Sequence, residues 1–211
     1  MLKDALFLLT EYKEYFIKGT LNTLLFSFSG TAIGILIGLC TGIIRTAPES
    51  KNPVLRVIQK IVNALIYCYV EVFRGTPMMV QSMVIYWGYA FATGGQTLPL
   101  IPSGILIVSI NTGAYMAESV RGGIISIDPG QTEGAKAIGM THVQTMTNVI
   151  LPQALRNIMP QIGNNYIINV KDTSVMFIIS FTEFFAAHRY IVGVNNMYFP
   201  SATIEMVGYL T

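Results

Sequence analysis

Residues Leu21 to Ile44 carry no charge. At about 1.5 Å of rise per residue, a helix of that length crosses the roughly 30 Å hydrocarbon core of a bilayer. The rest of the chain keeps the same character: 52% of its 211 residues are hydrophobic and 11% are charged, with mean hydropathy +0.54. Soluble domains carry about 25% charged residues. The expected fold class is therefore all-α: one polytopic transmembrane domain over residues 1–211, with about five spans. Within the first span Gly30, Gly34, Gly38 and Gly42 recur every fourth residue on one face. Small residues at this spacing let another helix approach closely in lipid. The neighbour is either another helix of the same chain or a second copy. Cys40 and Cys68 stand in apolar surroundings and read as packing residues rather than a disulfide or metal pair.

Further spans follow from the apolar runs and their breakers. Arg45, Lys51, Arg56 and Lys60 surround Pro48 and Pro53, a basic stretch expected on the cytoplasmic side. Val54 to Ala92 reads as one long helix bent near Gly75 and Pro77, its first part near the interface and its second part crossing. Gly104 to Ile127 is the next span, ended by Asp128-Pro129-Gly130. Asn157 to Phe181 is another, interrupted by Lys171-Asp172-Thr173-Ser174. Glu183, His188 and Arg189 are expected in an external loop. Ile204 to Thr211 begins a last apolar run that is short for a span, as though the helix were incomplete. The first residues lack the basic start, apolar core and cleavage site of a signal peptide. The two basic stretches fall on one side only if two crossings separate them, which places the N-terminus outside.

The second basic stretch, about 128–155, is polar and lies between apolar runs, so it is expected as a short surface helix over Gln131 to Met140 with Pro152 in the first turn of the next helix. It reads Glu133-Gly134-Ala135-Lys136-Ala137-Ile138-Gly139, then nine residues, then Val149-Ile150-Leu151-Pro152. This spacing resembles the coupling loop of ABC importer permeases, with Gly134 where alanine is usual. Glycine there weakens a helix by roughly 1 kcal/mol. Val70 to Pro77 (VEVFRGTP), Asn111 to Glu118 (NTGAYMAE), Arg121-Gly122-Gly123, Leu151 to Arg156 (LPQALR) and Lys171 to Ser174 (KDTS) are similar to further segments of the type I, polar amino acid branch (histidine, glutamine, arginine) of that family.

The resemblance implies a permease subunit of an ATP-driven amino acid importer in a bacterial cytoplasmic (inner) membrane, working by alternating access. Glu133, Gly134, Ala135, Lys136 and Gly139 would form the coupling helix that docks on the ATPase. The implied partners are two ABC ATPase subunits, a second permease identical or homologous to this one, an extracytoplasmic amino acid binding protein and membrane lipid, with no nucleic acid. ATP and magnesium would belong to the ATPase, leaving this chain without a bound cofactor. Lys171 and Asp172 are adjacent and cannot face each other on a helix, so they fit where a helix ends or unwinds. Broken backbone is tolerated at membrane depth where it is buried or lines a wet cavity. With Thr173, Ser174, Gln81, Asn111, Tyr115 and Glu118 they are candidates for the substrate pathway, since an amino acid carries both charges. The plainer reading of Lys171 and Asp172 is a structural ion pair; Glu71 and Arg74, three apart, are also expected to pair. His142 and His188 have no partners at metal-ligand spacing, and no phosphate loop, zinc helix or serine elbow occurs. No catalytic residue and no metal site is therefore assigned. A secondary transporter driven by an ion gradient is the alternative; it would show internal repeats, and none is evident between the two halves.

Overall fold

The structure is a computed structural model that describes residues 2–210, with side chains from residue 3. It consists of helices, and no strand occurs among the described residues. They are α1 (Leu2–Glu11), α2 (Lys13–Thr46), α3 (Pro53–Gly75), α4 (Met78–Ala92), α5 (Leu100–Ile125), α6 (Pro129–Ala137), α7 (His142–Thr145), α8 (Leu151–Asp172), α9 (Phe184–Asn195) and α10 (Tyr198–Leu210). A π-helical turn, Met146–Ile150, joins α7 to α8, and a 3-10 segment, Thr173–Ile179, follows α8. By length and composition α2, α3 and α5 are each able to cross a membrane; the bent pair formed by His142–Ile179 and Phe184–Asn195, at 51°, makes a fourth. α4 and α10, with 15 and 13 residues, are shorter than a span.

Several sequence-based boundaries move. The single bent helix expected over Val54 to Ala92 is two helices, with Thr76 extended (φ −122°, ψ 146°) between them. Proline at 77 forces this: its ring disfavours helical backbone at the preceding residue. The limb of spanning length is therefore the first, α3, and not the second. Glu183, His188 and Arg189 lie not in a loop but at the N-cap and in the first turns of α9. The last helix begins at Tyr198, before Ile204. Cys40 and Cys68 are free and exposed rather than packed inside.

The chain groups into two compact units. One gathers the residues up to Gly30, Pro77–Val108 and those from Tyr166 on; the other comprises Thr31–Thr76 and Ser109–Asn165.

In the second unit the glycine face of α2 meets α5. A methyl group on Gly34 would lie 2.6 Å from Thr112 Cβ, one on Gly38 2.2 Å from Met116 Cβ, and one on Gly42 2.6 Å from Val120 Cγ1. No side chain fits in these gaps, so the small residues serve packing within the chain. At the end of this seam Arg45 pairs with Glu118, which also holds Arg121 at 2.9 Å. α3 is tied to α5 by Tyr69 Oη donating to the Ile110 carbonyl at 2.6 Å and by Asn111 Nδ2 donating to the Phe73 carbonyl at 3.3 Å. A third contact, Ile124 with Ile150, Ala154 and Ile158, seats α8 on α5.

In the first unit Phe26, Met78, Tyr86, Ile107, Met176, Ile179 and Phe181 form one core. Leu8, Phe16, Phe184, Ala187 and Ile191 form another, bringing α1 and α9 together. The turn between the 3-10 segment and α9 is stitched to α2: Asn22 Nδ2 donates to the Thr182 carbonyl (2.6 Å), and Phe184 N–H donates to Thr23 Oγ1 (3.2 Å).

Replacing Gly38 with leucine should cost about 1–3 kcal/mol through overpacking, read as a lower melting temperature of the purified protein. Gly88→Ala, where an added methyl group meets nothing within 4 Å, should not lower it, since alanine is the better helix former; equal melting of the two variants would contradict the seam.

Candidate functional site

The surface segment between α5 and α8 is built from local chemistry. Asp128 starts α6 by accepting the Gly130 N–H at 2.6 Å, and Pro129 occupies the first turn, where its missing N–H is harmless. The end is set by Gly139 at φ +84°. Gly139 N–H donates to the Lys136 carbonyl (2.9 Å) and Met140 N–H to the Ala135 carbonyl (3.0 Å), the paired bonds of a Schellman cap. Hence α6 covers 129–137 and not 131–140: the Asp-Pro start draws it earlier and the left-handed glycine stops it. Thr141 and Gln144 then form a reciprocal capping box for α7.

Pro152 is the second residue of α8, in its first turn as expected, but α8 follows α7 and the π turn without a break and so continues a helix begun at His142. Proline has no N–H to donate four residues back. The turn ahead of it widens to the π form, in which Leu151 N–H reaches the Met146 carbonyl, and the helix passes through without ending.

Among the named residues of this segment Ala135 is buried, while Glu133, Gly134, Lys136 and Gly139 are exposed. An added methyl group at Gly134 would meet nothing within 4 Å. Two large apolar side chains flank the glycine turn in the open, Ile138 at 80% and Val143 at 68% exposure. Spacing alone missed both; the signal was an apolar residue on each side of a turn glycine. Beneath lies a cavity of ≈360 Å³ whose walls include Lys136 and His142 from this segment and Thr46 and Pro48 from the first basic stretch. The two basic stretches thus meet at one place.

The pathway candidates divide between the units. Asn111, Tyr115 and Glu118 share α5 and are all engaged: Asn111 with the Phe73 carbonyl, Tyr115 under the Arg74 guanidinium at 5.6 Å, and Glu118 with two arginines. Arg74 therefore does not pair with Glu71, and no Glu71–Arg74 ion pair is present among the described residues. Gln81 belongs to the first unit and is buried on α4, which packs against the 3-10 segment. α8 ends at Asp172, and Thr173, buried, returns its hydroxyl to the Val170 carbonyl at 2.9 Å. Lys171 is exposed, and Asp172 and Ser174 are half-buried. No ion pair joins Lys171 to Asp172 among the described residues. Asn165 and Asn169 are buried polar residues of α8 that the motif reading passed over. They continue a four-residue rhythm from Asn157 and Gln161 to Thr173, a periodic signal visible in the sequence.

Two substitutions should move α6 in opposite directions. Gly134→Ala should stabilise it by roughly 1 kcal/mol, and Gly139→Val should destabilise it by about 1–2 kcal/mol because of the left-handed backbone. Hydrogen exchange of amides 130–138 measures both; identical exchange in the two variants would contradict the cap. Glu118→Gln should cost about 1.5–3 kcal/mol by weakening two charged hydrogen bonds, seen as a fall in melting temperature that Tyr115→Phe does not reproduce.

Comparison with known proteins agrees with this architecture. Residues 30–204 match the family described as "Binding-protein-dependent transport system inner membrane component". The glutamine transport system permease protein GlnP of Escherichia coli (strain K12) is 36% identical over 179 residues, covering 85% of this chain and 77% of that one. The L-cystine transport system permease protein TcyB of Bacillus subtilis (strain 168) is 41% identical over 129 residues, covering 61% and 54%. A solved structure described as an amino acid ABC transporter with histidines superposes with TM-score 0.80 at 34% identity, over 96% of this chain and 89% of that one. The inward-facing MetNI methionine ABC transporter, at 20% identity and TM-score 0.74 over 93% and 88%, shares the fold. With most of its length matched, the chain belongs to the family of inner-membrane components of binding-protein-dependent transport systems: it is a membrane transport subunit of an ABC importer and not an enzyme.

Proposed function

We propose that this chain is the permease subunit of an ATP-driven importer of a polar amino acid, and that α6 with its glycine turn is where the ATPase docks. The observation that carries the docking is the pairing of a short, doubly capped helix with two exposed apolar side chains, Ile138 and Val143. Caps at both ends hold the segment's shape before a partner arrives. Such preorganisation lowers the cost of binding. Apolar anchors surrounded by Glu133 and Lys136 have the make-up of a small protein interface, with a water-excluding centre and a charged rim.

In this reading two ATPase subunits, holding ATP and magnesium, grip the coupling segments of two permease subunits, this chain and an identical or homologous partner. A binding protein outside the membrane delivers the amino acid. The N-terminus lies outside and the basic stretches lie in the cytoplasm, as their charge favours. ATP can shift the permease between states only through contacts that differ between them, and the joint at α6 is the place for those contacts. Gln81, Lys171, Asp172, Thr173, Ser174, Asn111, Tyr115 and Glu118 supply polar groups toward the pathway. Glu118, held by two arginines, acts there as a fixed structural charge. The glutamine and cystine permeases named above support the amino acid assignment, and the α8 amides suit a polar cargo.

Ile138→Asp should weaken assembly with the ATPase by about tenfold or more, the loss typical of an interface anchor, and reduce uptake in proportion. Copurification and proteoliposome uptake measure this. The melting temperature of the permease alone should stay unchanged, since the side chain is exposed. Normal assembly and uptake in the variant would remove α6 as the docking element.

A further inference from the structure

α9 places Phe185, His188, Arg189, Val192 and Gly193 along one face, and with Tyr198 at the head of α10 they line a cavity of ≈320 Å³. None of these residues belongs to the pathway set or to the coupling segment. The cavity has a definite chemistry. The Arg189 guanidinium lies over the ring of Phe177 at 4.7 Å, a cation–π contact that fixes its plane. Arg189 is exposed, and no carboxylate lies within ion-pairing distance of it among the described residues. His188, on the same cavity wall, has Nδ1 2.8 Å from Ser201 Oγ and 3.7 Å from Glu205 Oε2. Glu205 thus lies beside His188, while the Phe177 ring is the partner that the Arg189 guanidinium has among the described residues.

α9 is one limb of a bent helix pair apolar enough to cross a membrane. An exposed guanidinium on such a limb is costly against lipid and marks a place where water, substrate or a partner meets the helix. A planar, permanently charged fork with several N–H donors matches a carboxylate in bidentate geometry. A space of this size falls at the small end of ligand pockets, which suits a single amino acid and not a peptide. Phe185 and Tyr198 add aromatic surface for the aliphatic part of such a ligand.

We infer that the α9 cavity is a binding site for a free amino acid, with Arg189 holding its carboxylate, distinct from the pathway residues around Lys171 and Asp172. The inference rests on the importer reading above. The open side of Gly193 provides a clean test, because an added methyl group there meets nothing within 4 Å. Gly193→Leu should fill the cavity without straining the helix, and leucine is the better helix former.

The experiment uses the permease assembled with its ATPase in lipid nanodiscs, without the delivery protein. Binding of radiolabelled L-glutamine and of its carboxamide is followed by equilibrium dialysis, and the other common amino acids are then taken in the same way. The wild type should bind an amino acid saturably and prefer it to its amide. Arg189→Gln should weaken binding by about tenfold or more and erase the preference for the acid, Arg189→Lys should restore part of both, and Gly193→Leu should remove binding without lowering the melting temperature. Wild-type binding in both Arg189→Gln and Gly193→Leu overturns the inference. So does an Arg189→Gln defect that is equal for acid and amide. A wild-type complex that imports amino acids but binds none without the delivery protein also overturns it, and points to an acidic side chain of that protein as the partner of Arg189. A complex that imports no amino acid at all refutes the importer reading instead.

Discussion

The close approach of α2 to α5 is the constraint on which the second unit depends. Gly34, Gly38 and Gly42 leave no room for a side chain against Thr112, Met116 and Val120. The hydrophobic effect gives little drive for association between helices in lipid, so contact must come from tight packing and polar links. The seam supplies the packing and also sets a register. With Gly42 against Val120, the next turn of α2 brings Arg45 to Glu118. Glu118 in turn holds Arg121. The end of α2 is thus fixed beside the C-terminal half of α5, and the stretch after Thr46 is carried to the cavity shared with Lys136 and His142. Tyr69 and Asn111 add α3 by hydrogen bonds to backbone carbonyls.

The first unit is held by different means. Its central feature is the break between Ile179 and Phe184. Ser180 takes a left-handed backbone (φ 64°), and Glu183, fully buried, accepts the N–H groups of Phe185 and Ala186 at 2.7 Å to cap α9. The Thr182 carbonyl, the Phe184 N–H and the Glu183 carboxylate all find partners in neighbouring protein, which lets irregular chain persist in an apolar setting. Gly19 gives the Glu183 carbonyl and Phe184 room to approach α2. The bend of the chain is therefore anchored on a helix far away in sequence, by contacts that local propensity does not supply.

What the sequence made legible divides along the same line. The glycine repeat announced close packing but left its neighbour open, and Asp128-Pro129-Gly130 marked the break after α5 although the next helix starts earlier, at Pro129, and stops before Gly139. The end of α8 at Asp172 also follows from adjacent charges that a regular span does not accommodate. Long-range facts were hidden. Glu118 looked like one of three polar residues on a face, and only the fold brings Arg45 to it across 73 residues. Arg74 stood at pairing distance from Glu71 in sequence, but the ring of Tyr115 took it. Thr76 was read as part of a bend because a kink and a break share the same proline; here the ring of Pro77 leaves Thr76 extended and the helix breaks. The cavity on α9 was invisible because its residues were assigned to a loop.

The π turn ahead of Pro152 gives the helix one residue more than a regular α-helix would hold there. Each residue turns an α-helix by about 100°. The angular relation between α7 and α8 is therefore quantised: it is set by whether that extra residue is present, and cannot be adjusted by small changes in side-chain size. A chain that lost a single position within 146–150 would swing the face of the surface segment around the axis of α8 without altering any exposed residue on it. Length in this short stretch is itself a determinant of which way the surface segment faces.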